Sequence, residues 1–212
     1  MALPYHALKI IANYLKGNVL SLGYPDIDAT PEQIKHLFGY TPTKFRDLRD
    51  WHGVVSPDTE ELFEHLPATL TVVDYIKERG IEIIADLNEP HEFGKFDLVI
   101  DPGTLEHCFN IGQAFFNAAN AVAVGGRIFH LSPMTMLNHG FYNLNPTLFV
   151  DFYGQNEWAI ESMSAHAVTN MTVHSSKRFT NTYEHILKVL AIRKNDAQLK
   201  YPTQYKYLTK KR

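Results

Sequence analysis

The chain has 212 residues, of which 45% are hydrophobic and 20% are charged, and its formal net charge is -3. These values exclude an intrinsically disordered chain, and the mild acidity argues against a nucleic acid as partner. The single cysteine, Cys108, excludes an intramolecular disulfide and a cysteine-rich zinc site. Neither a transmembrane run nor a signal peptide is apparent, so we expect one domain over residues 1–212, no membrane partner and a cytoplasmic location.

The first part of the chain predicts one strand surrounded by helices. Apolar spacing indicates an amphipathic helix over residues 7–15, and a strand follows over residues 18–23. A helical insertion is expected at about 28–67, because capping signatures at Thr30-Pro31 and at Ser56-Pro57-Asp58 begin two helices there. Between these helices lies a basic and aromatic cluster, interpreted as a solvated connector or as part of a lid: Lys44, Arg46, Arg49, Trp51 and His52.

The middle of the chain predicts a parallel sheet. Strands are indicated over residues 70–74, 81–88 and 96–101, and the gap between the first two is too short for a crossover helix. Asn110 is a plausible N-cap for the next helix, and Gly125-Gly126 is a plausible stop before a strand over residues 127–131. Residues 96–131 therefore form a strand-helix-strand unit with a right-handed crossover.

Three sequence runs in this region resemble a known family. The run FDLVIDPGTLEH, a helix and then GGRIFHLSP resemble the fourth strand, following helix and fifth strand of class I S-adenosylmethionine (SAM)-dependent methyltransferases. Together, IIADLNEP, FDLVIDPGTLEH and NHGFYNLNPTLF resemble a bacterial subfamily of uncharacterised methyltransferase-like proteins. The resemblance covers roughly residues 18–194, and its specific part is 70–152.

The resemblance implies an α/β fold with helices on both faces of a Rossmann-like, seven-stranded, mostly parallel sheet. Its last strand is antiparallel, and the predicted strands over residues 159–168 and 185–192 suit the sixth and seventh positions. A polar loop is expected between them over residues 170–183. An acceptor-side insertion is expected at about 134–157, with a helix beginning at Asn145-Pro146.

The implied cofactor is SAM, and the resemblance assigns its site to the strand ends. Asp74 would accept hydrogen bonds from the ribose hydroxyls, with Tyr75 beside it, although a turn aspartate remains the alternative. Asp86 would meet the adenine amino group and Leu87 would contact the ring. The remaining cofactor-site candidates lie at the first and fourth strand ends: Gly23, Asp101 and Gly103. Asp101 would face the sulfonium, or would instead cap the loop at Gly103.

The first strand departs from the family pattern. Methyltransferases place a glycine-rich turn here, whereas this chain has Gly23 followed by Tyr24-Pro25. Pro25 also removes a backbone donor. A cofactor at this turn must therefore be held differently, and a non-catalytic protein of the same fold is the alternative function.

Catalytic candidates lie after the fourth and fifth strands. His107 is the first candidate for a base that takes the acceptor proton, His139 is the second, and Glu106 would orient either imidazole. Methyl transfer requires no metal, and two histidines 32 positions apart lack the compact spacing of a metal motif, so no metal is assigned.

The leading hypothesis is a SAM-dependent methyltransferase acting on a small-molecule or saccharide acceptor. A nicotinamide-dependent Rossmann enzyme is disfavoured, because no glycine-rich helix start is present for a pyrophosphate. The sequence leaves open whether the segment 201–207 docks on the core or on a partner subunit, and hence whether the protein is a homodimer.

Overall fold

The computed structural model describes residues 2–47, 55–136, 139–167, 172–174 and 185–208. The helices are α1 (Tyr5–Ile11), α2 (Pro31–Phe38), α3 (Thr59–Glu64), α4 (Ile111–Asn120), α5 (Pro146–Gln155) and α6 (Tyr205–Leu208), and 3-10 turns lie at Ala12–Tyr14 and Leu105–His107. The strands are β1 (Leu3–Pro4), β2 (Gly17–Leu22), β3 (Ile27–Asp28), β4 (Phe45–Asp47), β5 (Val55–Pro57), β6 (Ala68–Asp74), β7 (Ile83–Ile84), β8 (Phe96–Asp101), β9 (Val122–Pro133), β10 (Ala159–Ala167), β11 (Thr172–His174) and β12 (His185–Ile192).

Within the described residues, eight strands form one sheet in the order β11-β10-β12-β9-β8-β2-β6-β7. The strands from β9 to β7 in this order are mutually parallel, whereas β12 is antiparallel to β9 and to β10. The predicted fold class, a Rossmann-like and mostly parallel sheet with an antiparallel last strand, is therefore confirmed. The short β11, in the segment predicted to be a loop, adds an eighth strand at the edge beside β10.

Alternate residues of the central strands fill two cores, one on each face of the sheet. Leu20 and Val99 face one core, which α4 and α5 cover with Phe115 and Phe149. Their neighbours Val19 and Leu98 face the second core. Apolar residues of α1, α2 and α3 cover it: Leu8, Ile34 and Leu62. Both faces of the parallel strands are covered, which explains why their sequences are continuous apolar runs.

Local sequence signals mark the starts of α2, α4 and α5 at the predicted residues, whereas α1 begins earlier, at Tyr5, and α3 is capped by Asp58 because Ser56 and Pro57 belong to β5. Thr30 and Gln33 form a capping box at α2, and the Asn110 side chain accepts a hydrogen bond from the Gln113 N–H at the start of α4. Asn145 caps α5, which begins with Pro146. These predictions are confirmed because each cap satisfies N–H groups that the first helical turn leaves free.

The third parallel strand is shorter than predicted. A strand was expected over residues 81–88, but β7 comprises only Ile83–Ile84 at the edge of the sheet. Asp86 ends it, because its Oδ1 accepts hydrogen bonds from the N–H and the side-chain amide of Asn88 and turns the chain into a loop. The predicted absence of a crossover helix between β6 and β7 is confirmed.

Gly125-Gly126 does not end a helix. Helix α4 ends at Asn120, and β9 begins at Val122 and includes both glycines. The pairing of β8 with β9 shifts register here, from Phe96↔Val122 to Leu98↔Arg127, so the glycines lie in a bulge. Gly125 has φ 82°, a conformation that favours glycine.

Two helices end earlier than their sequence patterns predict. Helix α1 ends at Ile11 and continues as a 3-10 turn, and α3 ends at Glu64. The C-terminal segment contains the short helix α6 and packs on the core. The Asn156 side chain both donates to and accepts from the backbone of Lys200, and the Tyr201 ring contacts the Phe116 ring at a tilt, with centroids 4.5 Å apart.

The insertion at about 28–67 provides α2, β4, β5 and α3. Within the predicted basic cluster, Arg46 pairs with Asp58 at 2.7 Å, and Lys44 lies 3.5 Å from Glu64. Arg49, Trp51 and His52 lie outside the described residues. No helix among the described residues is long and apolar enough to span a membrane.

Candidate functional site

A cleft of about 440 Å³ opens at the carboxyl ends of β2, β6 and β8. Strand order reverses here, since the chain leaves β2 for β6 on one side and reaches β8 on the other. Open parallel sheets bind ligands at such a switch point. The predicted site residues that line the cleft are Gly23, Asp74, Tyr75, Asp86, Leu87, Gly103, His107 and His139.

Gly23 makes the turn that follows β2. Its φ is 85°, and its N–H donates to the Val73 carbonyl at 2.7 Å. A Cβ at this position would lie 2.6 Å from the hydroxyl of Thr104, which itself donates to the Leu22 carbonyl. The turn and the loop after β8 are therefore in direct contact, and glycine is required for both the conformation and the space.

Tyr24 occupies the position where the family pattern has further glycine. Its side chain is buried, with the guanidinium groups of Arg46 and Arg79 at 5.1 and 5.5 Å from its ring centroid. Burial raises the pKa of Tyr24 to about 12, so the phenol is neutral. Arg79 also pairs with Asp26 at 3.2 Å, which fixes this end of the cleft.

Asp74 ends β6 with a half-buried carboxylate. Oδ1 accepts hydrogen bonds from the N–H of Tyr75 at 2.7 Å and of Ile76 at 3.4 Å. Oδ2 has only a 3.4 Å contact with the Tyr24 N–H, so it retains capacity to accept from a ligand. Tyr75 is largely exposed at the rim of the cleft.

The loop with Asp86, Leu87 and Asn88 follows β7 and is anchored to α4 by hydrogen bonds. Asn117, which is buried, donates to the carbonyls of Leu87 and Glu89 at 3.1 and 2.8 Å. Asn88 accepts from the Asn110 N–H at 2.7 Å. Hydrogen bonding from Asn88 lowers the pKa of Asp86, and Oδ2 of Asp86 accepts none of these bonds. An ionised carboxylate therefore lies at the cleft on a well-anchored loop.

Asp101 does not line the cleft. It is fully buried, and its Oδ1 accepts from the Thr104 N–H at 2.9 Å, so it caps the loop at Gly103, the second of the two predicted alternatives. Its Oδ2 lies 2.8 Å from Nδ1 of His130, whose Nε2 meets the Tyr153 hydroxyl at 2.5 Å. Burial raises the pKa of Tyr153, which keeps this hydroxyl protonated. The chain of three side chains locks the end of β8.

Glu106 lies buried beside His107 and His139, which line the cleft, and the ligand-capable atoms of all three are within 4.8 Å of one another. Oε1 of Glu106 is 3.5 Å from Nε2 of His139, and the two imidazole centroids are 5.2 Å apart. Glu106 is fully buried, and its oxygens have no hydrogen-bond donor among the described residues.

Burial sets the protonation of this cluster. It raises the pKa of Glu106 to about 8, with a further contribution from the Asp101 carboxylate. Desolvation lowers the pKa of His107 and of His139. Each imidazole is therefore neutral at neutral pH and offers a lone pair to a proton or to a cation. Cys108 is no nucleophile here, since burial raises its pKa to about 12.

Two exposed aromatic rings flank the cluster. Phe109 and Phe141 are 73% and 67% exposed and meet edge to face at 5.6 Å. The Tyr142 hydroxyl donates to the Phe109 carbonyl at 2.8 Å, which joins the two segments that carry the rings. Exposed aromatic surface beside a polar cleft is typical of a ligand-binding rim.

Sequence reasoning missed the residues that hold the site in place: Thr104, Asn117, His130 and Tyr153. A polar residue inside an apolar run is the one signal that was available, and both Asn117 in α4 and His130 in β9 have it. The predicted Asn138, next to His139, lies outside the described residues.

Comparison with known proteins finds similarity only among solved structures. No protein-family model matches the chain, and no curated protein is significantly similar to it. Three of the similar solved structures are a DhpI–SAH complex, an S-adenosylmethionine-dependent methyltransferase from Clostridium acetobutylicum, and TehB from Haemophilus influenzae.

The DhpI complex has a TM-score of 0.47 at 14% identity, over 89% of this chain and 82% of that chain. The Clostridium protein has a TM-score of 0.47 at 9% identity over 89% of both chains. TehB has a TM-score of 0.44 at 12% identity, over 89% of this chain and 60% of its own. At these values the comparisons assign no reaction, ligand or residue role.

Proposed function

We propose that the protein is a SAM-dependent methyltransferase that acts on a small-molecule or saccharide acceptor. The observation that carries this proposal is one cleft at the switch point of the sheet, lined on one side by Gly23, Asp74 and Asp86 and on the other by His107 and His139. Its volume of about 440 Å³ lies within the range of small-molecule sites. The sequence resemblance supports the same reading.

The side of the cleft lined by Gly23, Asp74 and Asp86, which we call the cofactor half, fits a nucleoside. Asp74 offers Oδ2 to the two ribose hydroxyls, with Tyr75 at the rim. Asp86, ionised and anchored, accepts from the adenine amino group, while Leu87 contacts the ring. Gly23 and Gly103 both line this part of the cleft, where the amino-acid half would lie against the backbone.

The side of the cleft lined by His107 and His139, which we call the acceptor half, contains the proton-accepting groups. SAM supplies an electrophilic methyl group, so the chain must align the acceptor and remove its proton. His107 at the cleft is the first candidate to take that proton and His139 is the second, since both are neutral. Oε1 of Glu106 lies 3.5 Å from Nε2 of His139, so a small approach of the two groups would let Glu106 orient that imidazole. Phe109 and Phe141 offer faces on which a sugar or another flat small molecule stacks.

Asp101 has a positioning role in this proposal. Its buried carboxylate holds the Thr104 N–H and His130, which sets the loop that carries Gly103. Contact with the sulfonium is not part of its role, because it is 0% exposed and does not line the cleft.

One observation favours a second candidate, a non-catalytic protein of the same fold. Tyr24 fills the place of the family's second glycine and is held between two arginines at the cofactor end of the cleft. A protein that has lost cofactor binding would keep the fold and use the cleft wall for assembly.

Calorimetric titration of the full chain with SAM, and in parallel with NAD, tests the proposal. We expect saturable SAM binding and no response to NAD. Asp74→Asn should weaken SAM binding roughly 10- to 100-fold, because it removes the charged acceptor of the ribose bonds while keeping an oxygen for the Tyr75 N–H.

The matched control is Glu92→Gln, which removes an exposed charge outside the cleft and should leave affinity unchanged. Failure of the wild-type protein to bind SAM would make the non-catalytic candidate the better one. Equal affinity of the Asp74 variant would remove Asp74 from the cofactor site.

A further inference from the structure

Glu106, His107 and His139 form a ligand set that the sequence spacing hides. Glu106 and His107 are adjacent and lie after β8, whereas His139 is more than 30 positions later and follows β9. The fold brings their ligand-capable atoms within 4.8 Å of one another. Two imidazoles and one carboxylate are a common donor set for catalytic zinc and for related transition metals.

We propose that these three side chains bind one divalent transition-metal ion of the zinc class at the acceptor wall of the cleft. Imidazole ligands favour zinc and its neighbours over magnesium and calcium, which prefer oxygen. The sequence-based assignment of no metal rested partly on the wide spacing of the two histidines, and the fold removes that part of the argument by bringing them together.

The buried carboxylate of Glu106 is the first argument. It is 0% exposed, and neither oxygen accepts a hydrogen bond from any described residue. Nε2 of His139 is likewise buried and unpartnered, 3.5 Å from Oε1 of Glu106. Buried polar groups without partners are costly, and a cation between them satisfies both lone pairs at once.

The distances are the second argument. Bonds of about 2.1 Å in tetrahedral geometry place neighbouring ligand atoms about 3.4 Å apart. The Glu106–His139 pair already has this separation, at 3.5 Å. The ligand atom of His107 lies no more than 4.8 Å from those of the other two, so it needs a shift of at most about 1.4 Å to reach the tetrahedral separation, and its side chain is exposed at the cleft.

The backbone preorganises the site. The N–H groups of Phe141 and Tyr142 both donate to the Glu106 carbonyl, at 2.9 and 3.3 Å. Gly140 packs so closely that a Cβ there would lie 2.9 Å from the same carbonyl oxygen. The segment with His139 is therefore fastened directly to Glu106, which is the support that a metal site requires.

Three protein ligands leave one coordination position of a tetrahedral ion for another molecule, as in catalytic zinc sites. If the proposed function holds, an oxygen of the methyl acceptor takes that position. The imidazoles then serve as ligands and no longer as proton acceptors, so the metal experiment also decides between these two roles.

Titration of the untagged full chain with Co²⁺, followed by visible absorption, tests the site. We expect one equivalent to bind with the bands of a nitrogen- and oxygen-ligated ion, and Zn²⁺ to displace it. His107→Ala, His139→Ala and Glu106→Gln should each weaken Co²⁺ binding at least tenfold. His36→Ala is the matched control, because His36 is exposed on α2 and far from the cleft lining.

A thermal-unfolding readout keeps the test valid for variants that fold poorly. Zn²⁺ should raise the unfolding midpoint of the wild type and of His36→Ala but not of His107→Ala, whose exposed side chain is not needed for folding. Stoichiometric binding that persists in the His107→Ala/His139→Ala double variant, or its absence from the wild type, overturns the proposal. SAM titration of the same samples judges the proposed function separately.

Discussion

At the scale of single residues, Gly23 tolerates little change. It has φ 85°, and an added Cβ would meet the Thr104 hydroxyl at 2.6 Å. Gly23→Ala should destabilise the protein by about 2–4 kcal/mol, because left-handed strain and overpacking add. Denaturant unfolding measures the loss, and SAM affinity should fall with it because the turn lines the cofactor half of the cleft.

A substitution at Gly39 separates the conformational strain from the overpacking. It has φ 79°, and nothing lies within 4 Å of its added Cβ. Gly39→Ala should therefore cost only the conformational strain, about 1 kcal/mol, with no effect on ligand affinity. Equal losses of stability in the two variants would contradict the clash at Gly23.

At the scale of elements, α4 supports the loop with Asp86, which the proposed function assigns to the cofactor, through one side chain. Asn117 donates to the carbonyls of Leu87 and Glu89 and accepts from the His91 N–H at 3.1 Å. Asn117→Asp replaces the donor with an acceptor, so both carbonyls lose their partner. We expect a loss of about 2–3 kcal/mol in the free energy of unfolding, and weaker SAM binding because the Asp86 loop loosens.

The same helix provides the control. Asn120 is exposed at the end of α4, and Asn120→Asp makes the same chemical change without touching the loop. Its stability and SAM affinity should match those of the wild type. A loss of affinity in this variant as well would mean that the effect is one of general charge and not of the Asn117 bonds.

At the scale of the whole molecule, the stability of the protein at acid pH depends on Glu61, which holds together the insertion at about 28–67. Its buried carboxylate accepts from the N–H groups of Thr43 and Lys44, at 3.0 and 2.9 Å, and so ties the chain before β4 to α3. Burial opposes ionisation, but these bonds and the Thr43 hydroxyl prevail and lower the pKa of Glu61.

A lowered folded pKa stabilises the protein above the unfolded value of about 4.3, and this contribution disappears as pH falls through the folded pKa. Urea unfolding from pH 7 to pH 3 should therefore show a smaller decline for Glu61→Gln than for the wild type. Glu64→Gln, which changes an exposed carboxylate on the same helix, should keep the wild-type slope. A slope that is unchanged in Glu61→Gln would contradict the assignment.

Local sequence patterns predicted most strands and helix starts, but not how the strands pair. β8 has the predicted bounds, and Asn110 and Asn145 cap the predicted helices, because strands and caps depend on neighbouring residues in the chain. The glycines at 125–126 were misassigned because a bulge is defined by pairing with another strand, which the local pattern does not contain. β7 was predicted too long because its edge position supplies few partners.

The sequence by itself indicated parallel strands over residues 70–74 and 96–101, and through its resemblance to a known family it implied the fold class and placed Asp74 and Asp86 toward strand ends. Only the tertiary structure decided that Asp101 is buried against His130, and that Glu106 lies 3.5 Å from His139. These pairs are about 30 positions apart in the chain. Their contacts depend on which strands are neighbours and on how the loops pack, and no local pattern records either.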